Sequence, residues 1–149
     1  MDLLRQTLIP LWDQETAYGP WRSTHPSSGQ CAVTAMLLQD LFGGEIYRVT
    51  VEGQSHYFGI IDGEVVDLTA NQFDGVPDHA LGEVVERGRI LSDPETQERY
   101  LLLRSRFDAI TDKVLPVGEQ EHLAIRDPNY VAGTSDRPEV AIFSQSRTD

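Results

Sequence analysis

The 149-residue chain reads as an α+β domain in which one apolar helix packs across a small antiparallel sheet. Three observations predict it. Residues 31–42 form an apolar run that follows the helix-starting cluster Pro26, Ser27 and Ser28 and halts at Gly43 and Gly44, the pattern of a capped helix of about three turns. Three strand-length runs come next, Ile46 to Val51, Ser55 to Ile61 and Glu64 to Thr69; Gly53 breaks the first join and Asp62-Gly63 is a two-residue hairpin signal at the second. A later helix opens at Ser92 or Asp93 before Pro94, and Tyr100, Leu103, Phe107 and Ile110 recur at spacings of three and four.

The remaining elements are shorter. Leu4, Leu8, Leu11 and Trp12 give a short amphipathic opening helix, bent or restarted at Pro10. Residues 13–27 read as an irregular connection. In the 31–42 helix, Val33, Ala35, Met36, Leu37, Leu38 and Phe42 make a broad apolar face suited to burial against a sheet. The segment after Thr69 is mixed and polar, and His79, in a Pro-Asp-His triplet, is expected to face solvent. Arg99, Arg104 and Arg106 are expected to point outward or sideways from the later helix. Residues 1–114 thus make one domain, and 115–149, interrupted by Pro116, Gly118, Pro128, Gly133 and Pro138, an extension that is partly disordered or loosely docked, with Val140 to Phe143 as a short strand or docking segment.

Composition narrows the function. A chain of this size can bury a core without disulfides or metals. Its single cysteine cannot form an internal bridge, which fits a reducing compartment. The N-terminal residues lack both a basic start and a long apolar run, so neither a secretory signal nor a membrane span is expected there, and the cytoplasm is the expected location. A net charge of −12, from 12 basic and 24 acidic residues, opposes binding to a nucleic-acid backbone or an anionic membrane. It leaves cationic or neutral substrates open. The Gly43-Gly44 pair comes without GxGxxG or a P-loop lysine, so no cofactor is expected.

The chemistry concentrates in residues 28–69. With Ser28 as N-cap, Cys31 falls in the first helical turn, where free backbone N–H groups and the helix dipole favour an anion such as a thiolate. The same N–H groups can hold an oxyanion on a carbonyl attacked by the sulfur. If Ile61 pairs with Glu64 across the Asp62-Gly63 turn, His56, Phe58, Ile60, Val65, Asp67 and Thr69 share one side of the sheet. His56 and Asp67 are then diagonal neighbours, roughly 7–8 Å apart at the backbone. His56 can take the proton of Cys31 while Asp67 fixes the imidazole tautomer. Around this trio, Gln30 is a candidate oxyanion donor, Trp21 and His25 candidate pocket walls, and Asn71 and Gln72 candidate substrate-positioning amides.

A cysteine at a helix start, a histidine on a strand and an aspartate on the following strand resemble the papain-like and transglutaminase-like superfamily. More closely, SGQCAVTAMLLQDLFGGEI, SHYFGIIDGEVVDLTANQF and LSDPETQERYLLLRSRF resemble the YunG-like family of small bacterial proteins, over about residues 12–110. The resemblance implies a Cys31, His56, Asp67 constellation and brings no substrate with it. Papain-like peptidases place their oxyanion-hole glutamine several residues before the cysteine, whereas Gln30 immediately precedes Cys31.

The expected function is a thiol-dependent acyl-transfer enzyme acting on an amide, ester or thioester of a peptide or small molecule, with water or an amine as acceptor. Two other readings stand beside it. One is a metal site of Cys31, His56 and a further histidine, His25, His79 or His122, although neither HExxH nor paired CxxC spacing is present. The other is a non-catalytic acidic binding module that retains the fold.

Overall fold

The computed structural model describes residues 1–114. The expected 115–149 extension, with its Val140 to Phe143 segment and His122, lies outside the described residues. Among the described residues, four α-helices, α1 (Asp2–Leu8), α2 (Cys31–Phe42), α3 (Arg87–Leu91) and α4 (Pro94–Val114), accompany four strands, β1 (Glu45–Val51), β2 (Gln54–Ile61), β3 (Glu64–Val66) and β4 (Glu83–Val85). The strands form one antiparallel sheet in the order β3-β2-β1-β4. The α+β expectation holds. No described helix is long and apolar enough to cross a membrane.

Both hairpins turn on two residues with positive φ, Glu52-Gly53 and Asp62-Gly63, the backbone that matches strand twist. Ile61 pairs with Glu64 as the turn chemistry predicts. The third strand is shorter than its sequence suggests, however. It ends at Val66, which pairs with Gly59, so Asp67 and Thr69 leave the ladder. Residues 54–58 of β2 are consequently left without a β3 partner, and that open edge is where the site lies.

The two faces of the sheet are covered differently. On one, α2 and α4 bury Val33, Met36, Leu37, Leu38 and Leu103 against Ile46, with Tyr57, Ile61 and Val85 at the margin. On the other, Val49, Val51 and Phe58 form a smaller cluster closed by Phe73 from the chain that follows β3. The opening helix joins the same core through Leu8, and beyond it the buried Trp12 indole donates to Thr34 Oγ1 of α2 at 3.1 Å. A 3₁₀ turn, Ile9–Leu11, takes up the expected bend, with Pro10 in its first positions.

Glycine fixes the sharp exit from α2. At Gly44, with φ of +80°, a Cβ would lie 2.3 Å from the Ile60 carbonyl oxygen, so only glycine lets the chain return beside β2. The later helix begins at Pro94 as expected, capped by Asp93, whose Oδ2 accepts from the Thr96 N–H at 3.2 Å and hydroxyl at 2.6 Å. Arg104, expected to point outward, is instead buried. Its guanidinium reaches Asp40 of α2 at 2.7 Å, while Arg87 of α3 contacts the other Asp40 oxygen at 2.8 Å. The Tyr100 hydroxyl donates to the same carboxylate. One buried aspartate thus ties α2, α3 and α4 together, a role that only the tertiary packing reveals. Arg106 reaches back to Asp13 at 3.1 Å and to Glu15 at 2.8 Å.

Candidate active site

Cys31 is the first residue of α2. Ser28 is not its cap; the N-cap position belongs to Gln30, which makes no side-chain cap bond. The cause is Gly29, whose φ of +71° breaks the turns running from 22 to 29 before the helix can begin. The chain is pinned at that point, since the Gly29 carbonyl accepts from Tyr18 N at 2.9 Å and the Gly29 N–H donates to Gln72 Oε1 at 3.0 Å. As the first helical residue, Cys31 presents its N–H where no intrahelical carbonyl takes it, at the positive end of the helix dipole.

Strand alternation puts His56 on the face with Phe58, away from the α2 core. The thiol nevertheless comes near enough to act on the ring, because α2 enters at the open edge of β2, with Cys31 Sγ 3.9 Å from the Ser55 carbonyl oxygen. His56 is fully buried. Its Nε2 lies 2.6 Å from Asp67 Oδ2, and its Nδ1 lies 2.9 Å from Gln72 Nε2. The sequence-predicted neighbours are therefore brought together, although Asp67 reaches the ring from the chain just past β3. That chain is fastened by the Arg5 guanidinium, which donates to the Leu68 carbonyl at 3.0 Å, and by the Thr69 N–H, which donates to Asp67 Oδ1 at 3.2 Å.

Hydrogen-bond bookkeeping selects the tautomer of the neutral ring. The Gly29 N–H is a donor, so the Gln72 atom it meets is the carbonyl oxygen and the atom facing His56 is the amide nitrogen. An amide N–H aimed at Nδ1 requires a lone pair there. The proton then sits on Nε2, shared with Asp67, and Nδ1 accepts from Gln72, so a thiol proton reaches Nδ1 only by displacing that amide.

The ring's charge is contested. Burial opposes the imidazolium, but the hydrogen bond to Asp67, the contact with Cys31, and the charges on both outweigh it and push His56 from 6.5 up to about 9. Gln72 works against them, because protonating Nδ1 would set two donors face to face. Burial likewise tends to raise Asp67, yet its bonds to His56 and His79 hold the carboxyl below its usual 3.8. The upward push on His56 comes first from its hydrogen bond to the Asp67 carboxylate and exceeds what one neutral amide opposes, so the raised direction stands.

His79 is a correction to the sequence reading. It does not face solvent: its Nε2 lies 2.7 Å from Asp67 Oδ2, the oxygen that also binds His56, and its side chain is 23% exposed. Its ring stands edge-on to Phe58 at 4.7 Å, while Phe73 meets His56 edge-on at 5.0 Å. Nothing in the local Pro-Asp-His triplet signals this, because the 3₁₀ turn His79–Leu81 is placed by the loop that covers the second sheet face.

The other candidates divide. Gln72 joins the site. Asn71 Oδ1 accepts from Ser27 Oγ at 2.8 Å, so it braces the loop before Cys31 instead of addressing a substrate. Gln30 is fully buried and donates from Nε2 to the Asp13 carbonyl at 3.0 Å, which anchors the opening segment and turns the amide away from an oxyanion role. Trp21 donates its indole N–H to the Pro26 carbonyl at 2.9 Å, and His25 is exposed. Neither lines the cavity at the thiol. That cavity, of about 780 Å³, is walled by Cys31, Ser55, Tyr57, Gln72, Phe73 and Arg89 among others. Burial first, and then the charge of Cys31, raise the Tyr57 phenol above its usual 10, with Arg48 and Arg89 acting the other way.

The family model of the YunG protein matches residues 1–112. The chain belongs to the YunG family. A curated relative, described as uncharacterized protein YunG of Bacillus subtilis (strain 168), is 37% identical over 73 residues, covering 49% of this chain and 63% of the relative. This YunG-family chain therefore spans less than two thirds of that relative's length. No solved structure matches it.

Among the described residues, His56, Asp67 and His79 also have ligand atoms within 4.8 Å of one another. Cys31 is not in that cluster, so the arrangement differs from the thiol-containing metal site that the sequence suggested.

Proposed function

We propose that this YunG-family chain is a thiol-dependent acyl-transfer enzyme of papain-like or transglutaminase-like type. The observation that carries the proposal is His56 clamped between Asp67 and Gln72 with Nδ1 turned from the carboxylate, beside a thiol that opens the wall of a cavity. A nucleophile, a base in its reach and a group that orients the base are the parts such chemistry needs. The order of elements, cysteine at a helix start, histidine on a strand and aspartate after the next strand, supports the papain-like assignment.

In the proposed reaction, Cys31 Sγ attacks an amide, ester or thioester carbonyl as the thiolate left once its proton has passed to His56 Nδ1. The C–S bond forms, and the carbonyl oxygen gains the negative charge, which the Cys31 N–H at the start of α2 is placed to receive. Collapse breaks the bond to the leaving amine, alcohol or thiol, which departs with the proton from His56. Water attack then returns the thiol and a carboxylic acid, and amine attack returns an amide. Asp67 keeps the imidazolium oriented and balanced throughout.

A thiol-selective electrophile tests the proposal. Cys31 should label faster than free cysteine near neutral pH, and His56→Ala should slow it at least tenfold. Labelling at the free-thiol rate, unchanged in that variant, would favour the non-catalytic acidic module. The His56, Asp67, His79 cluster supports a second reading, a metal site built from two imidazoles and a carboxylate. Metal content of protein purified without added metal decides it: a stoichiometric ion lost in His79→Ala would replace the triad reading, because that ion would occupy the nitrogen that bonds Asp67.

A further inference from the structure

The charge of the whole molecule disfavours an anion, whereas acids and arginines balance in the lining of the cavity. Two acids and two arginines line it, and three of the four are engaged. Glu52 Oε2 accepts from the Gly75 N–H at 3.1 Å. Asp93 caps α4 and lies 4.0 Å from Arg99. Arg99 donates to Thr96 Oγ1 at 2.8 Å and stacks over Tyr18, 5.5 Å from the ring centroid. Arg89 is the fourth. It is exposed at the cavity wall and has no carboxylate partner among the described residues.

The short helix α3 sets this up. Arg87 faces inward to Asp40, and Ile90 is buried. Two residues on from Arg87, a helix has turned through about 200°, so Arg89 points away from the Asp40 network. Tyr57 lines the same cavity as Cys31 and Arg89, and both bear on its phenol.

We propose that the substrate of this site is an anionic acyl compound whose carboxylate, or an equivalent oxyanion, is received by Arg89 while its reactive carbonyl lies at Cys31. This rests on the nucleophile reading of Cys31 and adds the substrate's charge to it. A planar guanidinium suits a carboxylate, which it can hold through two parallel hydrogen bonds.

Alkylation of Cys31 by iodoacetate and by iodoacetamide tests the proposal on the full chain. The two reagents differ in charge and react alike, the sulfur displacing iodide. Cys31 is the only cysteine, so all thiol alkylation reports on it. The ratio of the iodoacetate rate to the iodoacetamide rate should fall about three- to tenfold in Arg89→Gln, the scale of one partly screened charge at close range. It should be retained in Arg89→Lys, and in Arg22→Gln, which removes the same charge outside the cavity. An unchanged ratio in Arg89→Gln, or an equal drop in Arg22→Gln, overturns the anion site. The nucleophile reading fails separately, if both reagents react no faster than with free cysteine and His56→Ala alters neither rate; the ratio remains readable in that case.

Discussion

Asp67→Asn preserves the shape of the side chain and removes its charge, which makes it the sharpest probe of the buried pair. In the folded chain His56 is pushed from 6.5 to about 9. That rise corresponds to about 3 kcal/mol of preference for the imidazolium, at roughly 1.4 kcal/mol per unit. Below pH 6.5 the ring is protonated in both the folded and the unfolded chain, and the whole stabilisation is present. Between 6.5 and about 9 only the folded chain keeps the proton, so stability should fall with rising pH, and above that window the contribution is gone. In Asp67→Asn, burial, the largest influence on this ring, is no longer outweighed, and His56 should titrate below 6.5. The assay is an NMR titration of the His56 ring alongside denaturant unfolding at several pH values from 6 to 9.5. A His56 midpoint at or below 6.5 in the unaltered protein would refute the reasoning, as would a midpoint that Asp67→Asn leaves in place.

Four further outcomes follow from the same contacts. Gln72→Ala removes the amide that opposes protonation of Nδ1, so the His56 midpoint should rise by up to about one unit, the worth of one hydrogen bond, and a fall would contradict the assigned tautomer. His79→Ala takes one of two imidazoles from Asp67 Oδ2, so the carboxyl midpoint, read by carbon NMR, should climb toward 3.8 and the acid loss of stability should begin at higher pH. Asp40→Ala takes from Arg87 and Arg104 the buried carboxylate they share, and the denaturant midpoint should show a loss of about 3–5 kcal/mol. Gly29→Ala would place a Cβ 2.3 Å from the Tyr18 carbonyl oxygen in a left-handed backbone that alone costs about 1–2 kcal/mol, so both thermal stability and Cys31 labelling should drop.

How much of this was legible depended on whether the signal was local. The Asp62-Gly63 turn fixes register by its own chemistry, and alternation along β2 puts His56 and Phe58 on one face. The α2 helix and the Pro94 start are equally local, written in apolar spacing and caps. Length was less legible for β3. Nothing in Glu-Val-Val-Asp-Leu-Thr announces a stop at Val66, which comes from the Arg5 bond to Leu68 and the Thr69 bond to Asp67, contacts across 63 residues in one case and two in the other. Strand β4 and helix α3 were hidden for a related reason: three and five residues are too few to show a period. His79 and Arg104 were misplaced because both are polar residues whose partners, Asp67 and Asp40, come from distant segments. A buried charge cannot be told from a solvated one until its counter-charge has been located.

The early end of β3 also explains why the thiol and the imidazole can meet at all. Had β3 continued to Thr69, as the alternating residues suggest, it would have paired with residues 56–58 and closed the edge where Cys31 approaches the Ser55 carbonyl. His56 would then have been shut on the face opposite α2. Releasing Asp67 from the ladder opens that edge and lets the carboxylate approach Nε2 from the chain past the strand. It also leaves one carboxylate oxygen serving two imidazoles, at 2.6 and 2.7 Å. An oxygen shared between two rings is less fully committed to either, so taking His79 away should leave Asp67 holding His56 more firmly. An NMR spectrum in which His79→Ala leaves the His56 ring resonances where they were would contradict that coupling.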